Sequence, residues 1–256
     1  MEMGLAGKRV LITGASKGIG LACARAFAAE GSVLHLASRD AARLAEARAQ
    51  ILATAQVEVA VHPIDLSRPG SAQALVAACG AVDVLVNNAG AIPGGSIEVI
   101  DEARWRDAWD LKVFGYINLT REVLPAMMRR GSGVIVNVIG LAGAKPSFDY
   151  ICGATGNAAL MAFTKGVGAG ATNRGVRVLG VNPTATRTDR IITLTKARAK
   201  TALGDESRWE ELLTNMPFGR IAEAEEVADL VVYCASDRAS YLSGTVIDID
   251  GGQLYR

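Results

Sequence analysis

The chain is poor in the residues that build metal centres, disulfide scaffolds and nucleic-acid grips. It holds four cysteines and two histidines in 256 residues. Cys23, Cys79, Cys152 and Cys234 stand apart with no Cys-x-x-Cys pair, and two histidines fall short of a His-rich site. The expectation is therefore no metal, and free thiols in a reducing, cytoplasmic setting. Charge of one sign is lacking too: 27 lysines and arginines face 26 aspartates and glutamates, a formal net charge of +1. That balance excludes binding to nucleic acid or an anionic membrane by bulk charge. No apolar run is long enough to span a bilayer. Met1-Glu2-Met3-Gly4 leads straight into a strand pattern, without the basic, apolar and small-residue succession of a secretory signal.

Half of the residues are hydrophobic, enough for a large core, and the length suits one open α/β domain. Apolar β-branched runs alternate with segments of helical period. Strands are expected at Arg9–Thr13, Val33–Ala37, Val57–Val61, Val82–Val86, Val134–Val138, Val176–Val181 and Thr245–Ile249. Helices are expected at Ile19–Glu30, Asp40–Ala55, Ser71–Cys79, Glu102–Arg130, Gly153–Asn173 and Ala224–Ser236. Continuous apolar strands separated by helices imply a doubly wound parallel sheet covered on both faces. Pro183 to Met216 reads as the most irregular stretch, broken by Thr, Arg and Lys.

Directly after the first strand stands Thr13-Gly14-Ala15-Ser16-Lys17-Gly18-Ile19-Gly20. Glycines at this spacing permit a tight turn, close approach of backbone to a pyrophosphate, and close helix–strand packing. The helix that follows then offers free N–H groups to the phosphates. Asn87-Asn88-Ala89-Gly90 follows the fourth strand, Asn182-Pro183 the sixth and Asp250-Gly251-Gly252 the last. With Pro217-Phe218-Gly219-Arg220, these motifs stand in an order and spacing that resembles the short-chain dehydrogenase/reductase family over nearly the whole chain.

The resemblance implies one Rossmann-type domain over residues 1–256, a seven-stranded sheet, a substrate loop at about 184–216, and a homo-tetramer or dimer. It implies a cofactor wall of Gly14, Ser16, Lys17, Gly18, Ile19, Gly20, Asp65, Leu66, Asn88, Ala89, Gly90, Asn157, Pro183 and Thr188. At the end of the second strand, where a carboxylate would hold the ribose of NAD(H), the chain has Ala37-Ser38-Arg39. Arg39 presents a planar fork, Ser38 a hydroxyl and Lys17 a second cation, which favours NADP(H) over NAD(H). Asp40, one residue late, reads as the N-cap of the next helix.

In the family a Ser after the fifth strand and a Tyr-x-x-x-Lys pair on the next helix carry the proton chemistry, aided by an Asn on the preceding long helix. Aligned on Val136-Asn137-Val138 and Asn157-Ala158-Ala159-Leu160, this chain has Gly140, Gly153, Asn157 and Lys112 at those four places. Lysine and asparagine have exchanged positions, and Tyr150 lies one helical turn before Gly153. One reading is a decayed site on a cofactor-binding protein that does no chemistry and is retained as a binding or regulatory subunit. The other is relocation, with Tyr150 as proton donor, Lys112 as the cation behind it and Asn157 on the ribose. A lyase or isomerase on the same fold stays open. Cys152 is a weaker nucleophile candidate, because no histidine is placed to activate it. Arg187, Arg190, Lys196, Arg198 and Lys200 make the substrate segment basic, as an anionic substrate or a solvated helix face would.

Overall fold

The computed structural model describes residues 2–256. Strands and helices alternate along the chain in the order expected: β1 (Arg9–Thr13), α1 (Gly18–Ala29), β2 (Val33–Ser38), α2 (Ala41–Leu52), β3 (Val59–Pro63), α3 (Ser71–Cys79) and β4 (Val84–Asn87). There follow α4 (Glu102–Trp109), α5 (Gly115–Arg130), β5 (Gly133–Val138), α6 (Ile151–Ala171), β6 (Val176–Pro183), α7 (Asp189–Leu203), α8 (Ala224–Ala235) and β7 (Val246–Ile249). The seven strands form one sheet in the order β3-β2-β1-β4-β5-β6-β7, with every pairing parallel. The order reverses between β1 and β4, so their carboxyl ends open the crevice where such sheets bind ligands.

Alternate residues of each strand feed two separate cores. Val10, Ile12, Leu34, Leu36, Val86 and Val136 pack with α1, α2 and α8 on one face. Leu11, Leu85, Ile135 and Val178 pack with α3, α5 and the end of α6 on the other. Strands buried on both faces need no polar alternation, which is why their sequences read as continuous apolar runs.

Three departures from the sequence reading bear on the site. The strands β3 and β4 begin two residues later than expected, at Val59 and Val84. The long helix is interrupted by a π-helical turn at Asp110–Phe114, between α4 and α5. Such wide turns cluster at functional sites, and this one carries Lys112. Finally, the stretch expected to be irregular holds α7, a fifteen-residue helix, and a 3₁₀ segment at Glu206–Leu213. Thr188 caps α7 by accepting from the Ile191 N–H, and Thr195 and Ala199 are buried beneath it. Its inward face is made of Ile191, Leu194, Thr195 and Ala199, so two threonine-sized or smaller residues conceal the apolar stripe.

Candidate active site

The loops after β1 and β4 are laced together at the crevice. Thr13 Oγ1 accepts from the backbone N–H groups of Asn88 at 2.9 Å and Ala89 at 3.0 Å. Asn88 Nδ2 donates back to the Thr13 carbonyl at 3.0 Å. Gly14 has φ +65°, and a Cβ there would stand 3.0 Å from both Asn88 Nδ2 and Ala89 Cα. Only glycine satisfies both conditions. Behind this turn α1 begins without a side-chain cap, its N-cap Lys17 being extended. Its first N–H groups are thus left for an anion. Ser16, Lys17, Gly18 and Ile19 line the resulting cavity, which measures about 1030 Å³. Gly20 is not part of the wall; it presses against the Gly14 carbonyl and lets α1 pack down on the turn.

At one end of the cavity stand Ser38, Arg39 and Arg43. Asp40 is the cap of α2, accepting from the Arg43 N–H at 3.1 Å and pairing with its guanidinium at 3.4 Å. Its carboxylate is thereby engaged with α2. Leu66 and Ile64 form the neighbouring wall. Asp65 stands behind that wall, its carboxylate accepting from the Ser67 hydroxyl at 2.7 Å and the Ser67 N–H at 3.1 Å. Burial raises its pKa, but the Ser67 hydrogen bonds and the charges of Arg39 and Arg68 outweigh it, and the carboxyl lies below its usual range. Lys17 pairs with Asp189 on α7 at 3.8 Å.

The opposite end gathers the residues singled out for proton chemistry. The Tyr150 ring lies where a side chain on Gly153 would begin, with its hydroxyl 2.7 Å from that Cβ position. A tyrosine from the preceding turn thus fills the space left by the glycine. Lys112 extends over Gly90, its Cδ 3.0 Å from the place of a Gly90 Cβ. Its Nζ donates to the Ile139 carbonyl at 2.5 Å. Burial, and next the nearby Arg190 charge, pull the Lys112 pKa down to about 7. Asn157 Nδ2 donates to the Gly140 carbonyl at 3.2 Å, and Asn157 Oδ1 is buried without a partner. Tyr150, Lys112, Asn157, Pro183 and Thr188 all line the one cavity.

Among the described residues no hydrogen bond joins Tyr150 to Lys112. The cation that touches the phenol is Arg190, whose Nη2 donates to Tyr150 Oη at 3.3 Å. Arg190 also donates to the Gly90 carbonyl at 3.2 Å and the Ile92 carbonyl at 2.5 Å. It clamps α7 over the loop that follows β4. Sequence reasoning placed Arg190 in a basic stretch but gave it no role. The signal was its position two residues after the capping Thr188, which sets its side chain at the mouth of the crevice. Cys152 is fully buried beside Ile92, Ile100 and Ala108, and burial raises its thiol pKa. That leaves it outside the chemistry.

These residues fit a bound dinucleotide: a glycine cradle, an uncapped helix N-terminus and, in Asn157 Oδ1, an orphaned acceptor suited to a sugar hydroxyl. Comparison with known proteins agrees. Residues 8–199 match the family model for short chain dehydrogenases. This chain belongs to the short-chain dehydrogenase/reductase family. It is 35% identical to 2-keto-3-deoxy-L-fuconate dehydrogenase of Xanthomonas campestris over 97% of this chain and 80% of that one. It is 33% identical to galactitol 2-dehydrogenase (L-tagatose-forming) of Cereibacter sphaeroides over 97% and 95%. L-sorbose reductase of Gluconobacter frateurii, solved with NADPH and L-sorbose, superposes with a TM-score of 0.92 at 33% identity, covering 100% of both chains. Among the described residues no helix is long and apolar enough to cross a membrane.

Proposed function

We propose that this chain is an NADP(H)-dependent oxidoreductase that interconverts a ketone and a secondary alcohol on a small polyhydroxylated molecule, sugar acids included. The observation that carries the reading is the Tyr150 ring filling the Gly153 position, which brings a phenol to the cavity that Lys112 and Asn157 also line. The polar substrate is supported by the names of the three relatives and by Ser147, Thr193 and Arg198 on the cavity wall. When bound, NADP(H) supplies or accepts the hydride. Tyr150 Oη gives its proton to the carbonyl oxygen as alkoxide charge develops there. Arg190, in contact with that hydroxyl, stabilises the phenolate left behind. Lys112, poised near neutral pH in the same cavity, returns the proton from its ammonium by way of intervening solvent, and takes another from solvent. Asn157 Oδ1 accepts from the ribose. Ser38, Arg39 and Lys17 meet the 2′-phosphate.

The protein works as a cytoplasmic homo-dimer or tetramer in this reading, consistent with exposed Phe114, Phe148 and Tyr241. The test is a fluorescence titration with NADPH and NADH, followed by NADPH oxidation against a panel of ketoses and keto sugar acids. NADPH should bind more tightly by about 2–4 kcal/mol, the value of one or two charge-assisted contacts. Turnover with a member of the panel supports the reading. Equal affinities would sink the cofactor assignment, and tight NADPH binding without turnover would leave a binding protein in place of an enzyme.

A further inference from the structure

The chain has only two histidines, and the fold brings them together with a cysteine outside the cofactor cavity. We infer that His35, His62 and Cys79 form a binding site for a borderline-soft divalent metal ion of the zinc class. His35 lies on β2 opposite Ala60, and His62 lies on β3 opposite Ala37, so the imidazoles are diagonal neighbours on one face of the sheet. Cys79, the last residue of α3, covers that face. His35 Nδ1 and His62 Nε2 are 3.0 Å apart, and Cys79 Sγ is 3.8 Å from His62 Nε2. All three ligand atoms lie within 4.8 Å of one another.

Two of these separations approach those of a tetrahedral shell with one vertex open. Metal–nitrogen bonds of about 2.0–2.1 Å and a metal–sulfur bond of about 2.3 Å place two nitrogens about 3.3 Å apart and sulfur about 3.6 Å from nitrogen. The two measured edges lie within a few tenths of an ångström of these values, and the His35–Cys79 edge, at most 4.8 Å long, closes by up to about 1.2 Å on binding an ion. One thiolate with two imidazoles is the donor set that suits zinc over magnesium or calcium. Both imidazoles ligate in the neutral form. Binding converts the Cys79 thiol to thiolate and releases one proton. A cavity of about 480 Å³ opens beside His35 and Cys79, with Arg9 and Glu58 also on its wall. Composition led to the expectation of no metal; the convergence of these three residues, scattered along the sequence, comes only from the fold.

The consequence reaches the cofactor site through the backbone. His35 is followed on β2 by Ser38 and then Arg39, and His62 leads through Pro63 to Ile64 and Leu66 on the cavity wall. An ion held here ties β2, β3 and α3 together just below those residues.

The test uses the full-length protein, stripped of metal with a chelator and titrated with cobalt(II) as a spectroscopic probe. One equivalent should give ligand-field bands of tetrahedral intensity and a thiolate charge-transfer band, with release of one proton per ion. Zinc should displace the cobalt and bleach both. Cys79→Ser should abolish the charge-transfer band, and His62→Gln should weaken binding more than about 100-fold, beyond the 10–100-fold cost of disturbing an outer-shell partner. Cys234→Ser should keep both the band and the affinity. A native protein that gives no saturable band, or a charge-transfer band that survives in Cys79→Ser, overturns the site. If Cys79→Ser does not fold, unchanged affinity in His62→Gln does so as well.

Discussion

Replacing Lys112 with methionine should make the protein more stable at neutral pH while disabling it. The side chain's methylenes run over Gly90, a path methionine can follow, so packing is largely kept. What changes is the cost of an ammonium in the cavity. Between the ordinary 10.5 and about 7, the folded state disfavours the charged form. At about 1.4 kcal/mol per pH unit that is at most about 5 kcal/mol. Water in the cavity screens part of it, and loss of the hydrogen bond to Ile139 takes back about 0.5–1.5 kcal/mol. The net gain expected is about 1–3 kcal/mol, or roughly 2–10 °C in Tm for a chain of this size. The sign with pH follows from linkage. The unfolded chain binds the proton up to the ordinary value and the folded one only up to about 7, so native stability rises with pH between them. The advantage of Lys112→Met is therefore full below about pH 7 and fades as pH climbs toward the ordinary lysine value. Thermal melts of cofactor-free protein across that range decide it. A variant that loses stability at pH 7, or whose advantage does not change with pH, refutes a strained, half-neutral Lys112.

Other outcomes follow from the same geometry. Gly153→Ala should add about 1 kcal/mol of helix propensity but push the Tyr150 ring off its seat, cutting turnover about 100-fold with NADPH affinity unchanged; equal turnover would show that the ring's position is incidental. Reductive turnover should fall as pH rises through about 7, where Lys112 loses its proton, and Lys112→Met should remove that limb of the profile. Arg39→Asp should invert the preference for NADPH over NADH in a fluorescence titration, since a carboxylate there repels the 2′-phosphate; an unchanged preference would move the phosphate contact elsewhere. Light scattering at micromolar concentration should return a dimer or tetramer, and a clean monomer would count against the assembly.

The sheet was legible because buried parallel strands must be apolar throughout, and β1 to β7 announce themselves that way. The phosphate turn was legible because Gly14 must take a positive φ beside Asn88 and Ala89. Asp40 could be read as the N-cap of α2 from its place alone, and it does cap that helix. The helix α7 was not legible. Its buried stripe uses Thr195 and Ala199, which carry little hydrophobic signal, and its exposed face is basic. Missing α7 meant missing Arg190, whose reach to Gly90, Ile92 and Tyr150 depends on where that helix begins. The π turn around Lys112 was hidden because a single widened turn leaves the apolar spacing of the flanking helices almost intact. The meeting of His35, His62 and Cys79 depends on strand register and on the end of α3, which no local pattern encodes.

The central claim is that proton chemistry has moved to Tyr150. It is tested most directly by the rate of NADPH-dependent reduction by Tyr150→Phe, measured beside the unmodified protein on the best substrate of the panel. The phenol is the only group removed, so NADPH affinity should stay within a factor of about two while turnover falls by roughly 10²–10⁴-fold, the usual worth of a positioned acid. Turnover at the unmodified rate would contradict the claim and place the donor in solvent or in the substrate itself.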